Sequence, residues 1–149
     1  MADQLPDGMR VVVGDEEVAE AGDRGLARAG ARGRAIAGDY ARAEAGDDGY
    51  AKAGILSCAL SGARGRSVSA ERGYSLAGEA GTAIAGEWGT AIAGLGGKVA
   101  AGDGGFVALD ALGPTGKRVL LTGAVGTDGL RPDVCYEAVG GDFVEAEAF

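Results

Sequence analysis

The chain has 149 residues, with 22 acidic against 14 basic side chains, a formal net charge of −8, 30 glycines and no histidine. An acidic balance of this size disfavours nucleic acid and anionic membranes as direct partners, and the length gives room for one small core rather than two. The missing histidine removes the commonest general base, the Ser–His and Cys–His nucleophile pairs and most zinc sites. No enzymatic activity, cofactor or metal is expected.

Residues 1–20 read as an N-terminal cap. Within MRVVVGDEEVAEAG (Met9 to Gly22) a β-branched strand is followed by acidic residues. GDEE departs from a calcium-binding loop and reads as a solvated acidic turn. The N-terminus has no basic region followed by an apolar stretch, and no apolar run reaches the ~18 residues of a membrane span, so a cytoplasmic location is expected.

From Ala21 to Ala108 one octad, A-G-x-x-G-x-A-x, runs through eleven gapless copies. Its second position is Gly except at Ala70, and its fifth is Gly except at Ala41 and Ser57. Two glycines per octad are costly in a helix, at about 1 kcal/mol each, and collagen needs Gly at every third residue. A period of eight divides by two, so every copy can show the same alternation to the same face of a strand. The strand is expected at positions six, seven, eight and one, with the turn at three and four. Glycine is expected to supply positive φ at the corners.

Charges at positions six (Arg34, Arg42, Arg66, Lys98) and eight (Arg28, Glu44, Lys52) must face water, which sends the small residues of positions one and seven inward. A methyl-lined interior fits a thin, two-sheet β-solenoid with two octads, sixteen residues, per coil. A triangular coil of three octads is the alternative. A disordered Gly/Ala elastomer is disfavoured, because disorder does not demand position-specific glycine.

Two exposed features stand out in the array. Position three carries Asp23, Asp39, Glu71, Glu87 and Asp103 in the odd-numbered copies, broken only by Ile55. With two octads per coil these carboxylates stack on one edge, which supports that coil and offers a partner surface. Solubility is the competing explanation. Position eight turns apolar in mid-array, so that Leu60, Leu76 and Ile92 form a stripe beside Cys58 and Tyr74. Such stripes mark interfaces, here self-association as a homodimer, unless the C-terminal segment folds back over it.

Residues 109–149 read as a capping β-element. Strands are expected at 118–122, 134–139 and 143–146, with Gly140-Gly141 as a two-residue hairpin turn between the last two. GPTGKR lacks the spacing and the Ser/Thr of a phosphate loop, and RVLLTGAVGTDG has too little chain after it for a dinucleotide fold. Cys58 and Cys135 are too far apart in sequence to make a disulfide framework and are expected as inert thiols.

The AGxxGxAx array resembles the octads of bacterial ice-nucleation proteins, which also open with Ala-Gly. It is more closely similar to uncharacterised bacterial and phage octapeptide-repeat proteins, which end in a segment like LRPDVCYEAVGGDFVEAE. The resemblance covers nearly the whole chain and implies a β-solenoid of sixteen-residue coils, and no activity. The regular Ser/Thr motifs of ice-nucleation repeats are missing, with only Thr82 and Thr90 on exposed strand positions.

The functional expectation is a non-enzymatic acidic binding protein with a protein partner, in concrete form a phage or mobile-element inhibitor. It would imitate nucleic acid on a basic nucleic-acid-binding complex. A structural or self-assembly module, with ice-surface binding as one version, is the alternative.

Overall fold

The computed structural model describes residues 8–127 and 129–146, among which there is no helix. The strands are β1 (Arg10–Val12), β2 (Val18–Glu20), β3 (Leu26–Arg28), β4 (Arg34–Ile36), β5 (Arg42–Glu44), β6 (Tyr50–Ala53), β7 (Cys58–Leu60) and β8 (Arg66–Ser69). They continue as β9 (Tyr74–Ala77), β10 (Thr82–Ile84), β11 (Thr90–Ala93), β12 (Lys98–Ala100), β13 (Phe106–Leu112), β14 (Arg118–Ala124), β15 (Tyr136–Val139) and β16 (Asp142–Glu145). Odd strands to β13, then β14, make a first eight-stranded sheet; even strands to β12, then β15 and β16, make a second.

Each repeat strand up to β11 pairs in parallel with the strand sixteen residues on, as Ala27 with Ala43 and Ala83 with Val99. Two octads therefore close one coil, and the triangular alternative is excluded. Each sheet spans about 34 Å at the usual strand spacing. Position seven is fully buried in every coil from Ala19 to Val107, and position one is buried or half-buried. The inward and outward assignments made from the charges hold.

Glycine serves a different purpose from the one expected. In the repeats the left-handed φ falls at position four, occupied by Arg24, Tyr40, Leu56 and Trp88 among others, and by Gly only at Gly96 and Gly104. The glycines of positions two and five have ordinary φ and are selected by the closeness of the coils. A Cβ on Gly46 would sit 2.8 Å from the Ala31 nitrogen, and one on Gly25 would sit 2.7 Å from the Met9 carbonyl oxygen. The exception at Ala70 is accommodated: the ladder bonds through it measure 3.3 Å, close to the 3.0 to 3.2 Å of the glycines at the same position.

The period begins earlier than Ala21. β1 and β2 pair with β3 and β4 in the sixteen-residue register, so residues 10–20, set apart as a cap from sequence, form the first coil. Glu17 stands there at the fifth position, and its carboxylate accepts the Gly14 N–H at 2.8 Å. In the coils above, the position-two Gly donates instead to the coil beneath, as Gly30 does to Gly14.

The core changes character along its length. Alanine methyls line it from Ala19 to Ala59, and larger groups, Val99, Val107 and Leu109, fill it near the C-terminus. A serine layer separates the two clusters. Ser75 donates to the Ile84 carbonyl at 2.5 Å and shares a 2.9 Å hydrogen bond with Ser69, whereas the buried hydroxyls of Ser61 and Ser67 have no partner.

At the C-terminal end both sheets receive an antiparallel strand, β14 on β13 and β15 on β12. Gly140 and Gly141, both at positive φ, join β15 to β16 as the sequence signal predicted. Tyr136 and Phe143 meet edge to face at 6.2 Å over Leu130, and the Tyr136 hydroxyl accepts the Arg131 N–H at 2.7 Å.

Three variants separate these effects. Gly96→Leu has open space around it and a φ that Leu56 already adopts, so it folds at a cost of about 1 kcal/mol. Gly81→Leu meets the Ala77 methyl and the Gly65 carbonyl and is expected to prevent folding. Ser67→Ala, which removes an unpartnered hydroxyl, is expected to raise stability by about 1 kcal/mol. Urea titration followed by far-UV circular dichroism reads all three.

Candidate functional site

The turns before the strands of the first sheet stack into one corner of the solenoid, and those before the second sheet into the other. Backbone bonds fix the rows of the first corner: the N–H of position four donates to the position-three carbonyl one coil on. Examples are Tyr40 to Ile55 at 2.9 Å and Trp88 to Asp103 at 3.0 Å. Asp23, Asp39, Glu71, Glu87 and Asp103 therefore line up on this corner with Ile55 among them, about 4.8 Å apart per coil.

These acids are of two kinds. Asp23 Oδ1 accepts the Asp39 N–H at 2.9 Å, and Asp39 Oδ1 accepts the Ile55 N–H at 2.8 Å. A short carboxylate thus satisfies a corner amide of the next coil. On the second corner Asp15 serves Ala31 and Asp47 serves Ala63 in the same way, both at 2.8 Å. Glu71 and Glu87 have no such bond among the described interactions; Glu71 lies 3.7 Å from Arg72.

Beside the carboxylates, position four of the first corner projects Tyr40, Leu56 and Trp88, with 62%, 45% and 63% of their surface exposed. All three have left-handed φ, between 54° and 58°. The Trp88 ring lies across the next coil at Gly104, where an added Cβ would meet it at 2.7 Å. Sequence reasoning missed this ridge. Its signal was present at period sixteen, in the column Arg24, Tyr40, Leu56, Arg72, Trp88.

The second corner carries an ionic ladder instead. Arg32 Nη2 reaches Glu16 at 2.6 Å and Arg64 Nη2 reaches Asp48 at 2.9 Å, each across one coil. The bond from Arg64 holds the Asp48 carboxyl below the usual 3.8. A depressed carboxyl pKa means that this pair supports the fold above the ordinary carboxylate range and is lost only as pH falls through the lower value. GDEE, which read as a solvated turn, supplies three of these bonds through Asp15, Glu16 and Glu17.

On the outer face of the first sheet, Leu60, Leu76 and Ile92 stand in direct register, with Cys58, Tyr74 and Thr90 beside them. The C-terminal strands extend the sheets at their ends and do not lie over this face. Burial raises the thiol pKa of Cys58 and of Cys135, which keeps both away from the reactive thiolate. A cleft of about 440 Å³ opens beside Leu95, Leu112 and Val139; its carboxylate, Asp110, is held by Arg118 at 2.7 Å. No three metal-ligating side chains converge among the described residues. No family model, curated protein or solved structure matches the chain.

The two kinds of acid are separable by stability. Asp39→Ala leaves the Ile55 amide without its acceptor and is expected to cost about 1 kcal/mol. Glu87→Ala, an exposed change that removes no described bond, is expected to stay within about 0.5 kcal/mol of wild type in the same denaturant titration.

Proposed function

We propose that the protein is a non-enzymatic binding protein whose first corner docks in a basic groove made for nucleic acid. The observation that carries this reading is the ridge of Tyr40, Leu56 and Trp88, exposed and left-handed in φ, beside Glu71 and Glu87. A left-handed bulky residue costs about 1 kcal/mol or more, and the fold accepts glycine at the same position in Gly96 and Gly104. Stacking therefore requires neither the large side chains nor the two glutamates.

The spacing bears on which groove would suit it. One carboxylate per ~4.8 Å is far sparser than the phosphates of a duplex, one per ~1.7 Å of axis. Grooves for single strands combine positive charge with aromatic platforms that stack bases. A corner that sets the exposed rings of Tyr40 and Trp88 in the same rows as the carboxylates of Asp39 and Glu87 offers both kinds of contact. An inhibitor of a single-strand-binding protein, of the sort a phage or mobile element would carry, is the concrete form of the proposal.

The test is displacement of a fluorescent oligonucleotide from a panel of purified single-strand-binding proteins. Wild type is expected to displace it from at least one, with an apparent affinity that falls about tenfold or more between 50 and 200 mM salt. Trp88→Ala is expected to weaken displacement, and the Glu71→Lys, Glu87→Lys double variant to abolish it with the fold intact. Equal displacement by the double variant, or none by wild type from any member of the panel, would make the column a solubility device.

A further inference from the structure

We propose that the chain forms a two-fold dimer through the outer face of the first sheet, with the two solenoid axes running in opposite directions and β11 lying on the two-fold. The inference is independent of the corner reading, because it rests on strand residues. From β7 to β11 every outward side chain is uncharged: Cys58 and Leu60, Tyr74 and Leu76, Thr90 and Ile92. Phe106 on β13 and Thr122 on β14 carry the neutral strip to the last strand of the sheet. Tyr74 and Phe106 leave 56% and 42% of their surfaces in solvent.

The same columns in the earlier coils are ionic. Arg28 and Arg42 both pair with Glu44, whose side chain lies half-buried between them. This layout selects the symmetry. A two-fold parallel to the solenoid axis would set each coil against its own copy, bringing the β3 and β5 charges face to face and out of water. A two-fold parallel to the strands and centred on β11 sets β7 opposite β14 and β9 opposite β13. The charged coils β3 and β5 then project past the partner's last strand into solvent. That outcome is available only because the neutral strip reaches the C-terminal edge.

The strip is small: five strands make it about 24 Å long and three residues per strand about 10 Å wide, an area well short of the ~800 Å² per partner of a standard interface. The dimer is accordingly of the dissociable class, with a micromolar constant. Its symmetry leaves the first corners of both copies on one side, so that one dimer presents two ridges in the same direction.

Sedimentation from 1 to 200 μM is expected to show the mass rising from 14.6 kDa toward twice that value. Leu76→Lys should weaken association by about 100-fold or more, through the charge it would bury. Orientation is read with a short bis-maleimide in a Cys58→Ser background. Thr90→Cys, on the two-fold, is expected to cross-link to its own copy, and Arg42→Cys to remain monomeric. These two variants stand even where Leu76→Lys disturbs folding. A monomer at every concentration overturns the proposal, as does cross-linking through Arg42→Cys in place of Thr90→Cys.

Discussion

The distance between successive coils governs this molecule. Parallel strands sixteen residues apart bring corner backbones so close that a Cβ on Gly102 would fall 2.6 Å from the Glu87 nitrogen. Glycine at positions two and five follows from that one constraint; the mostly methyl or hydroxymethyl side chains of positions one and seven follow from the close approach of the two sheets, with Val99 and Val107 as the exceptions near the C-terminus. A chain with 5% aromatic residues cannot fold by burying large side chains. It folds by a continuous backbone ladder in which almost every coil repeats the same bonds. Ser57, one of the few exceptions, shows what a substituent must do to be accepted at a crowded corner. Its hydroxyl accepts the Ala41 N–H at 3.0 Å and lies within donating distance of the Gly38 carbonyl.

Charge enters as a second layer on that ladder. The sharp turn leaves the position-three amide pointing along the solenoid axis, and an aspartate one coil below is the right length to accept it. Asp15, Asp23, Asp39 and Asp47 do this in the N-terminal half. Glutamates take over at the same position in Glu71, Glu79 and Glu87, one methylene longer. The acidic column is thus structural before Ile55 and unassigned by the fold after it.

Periodicity made the architecture readable. A period of eight with charges confined to positions six and eight, and acids modulated at sixteen, is enough to give the strand, its inner face and the two-octad coil. What stayed hidden was anything that depends on distance between coils. Composition shows that glycine is wanted at positions two and five but does not separate a positive φ from a close approach, and the second reason is the true one. The first coil stayed hidden because VGDEEVAE, from Val13 to Glu20, keeps the octad's glycine only at its second position and puts Glu17 at the fifth. The exposed ridge was overlooked because position four, like positions six and eight, changes from copy to copy and was read only as turn. The two-octad coil already stacks Tyr40, Leu56 and Trp88 on one edge, and the corner geometry adds that all three project into solvent.

A solenoid of this kind stabilises itself through neighbouring coils, so its stability is close to a sum of local terms. Stacking here draws on positions one, two, five and seven, and on the aspartates of position three. Positions four, six and eight lie outside that set and are free to vary. In the early coils they hold paired charges, the Glu16–Arg32 and Asp48–Arg64 rungs and the Arg28–Glu44–Arg42 cluster. From β7 to β11 the outer face of the first sheet is uncharged, in the same stretch where serines replace the methyls of the core. Water solubility alone would favour charge at every free position, since each is solvated at little cost to the ladder. The apolar and aromatic residues that occupy them instead, on one face and one corner, are therefore explained neither by the ladder nor by solubility.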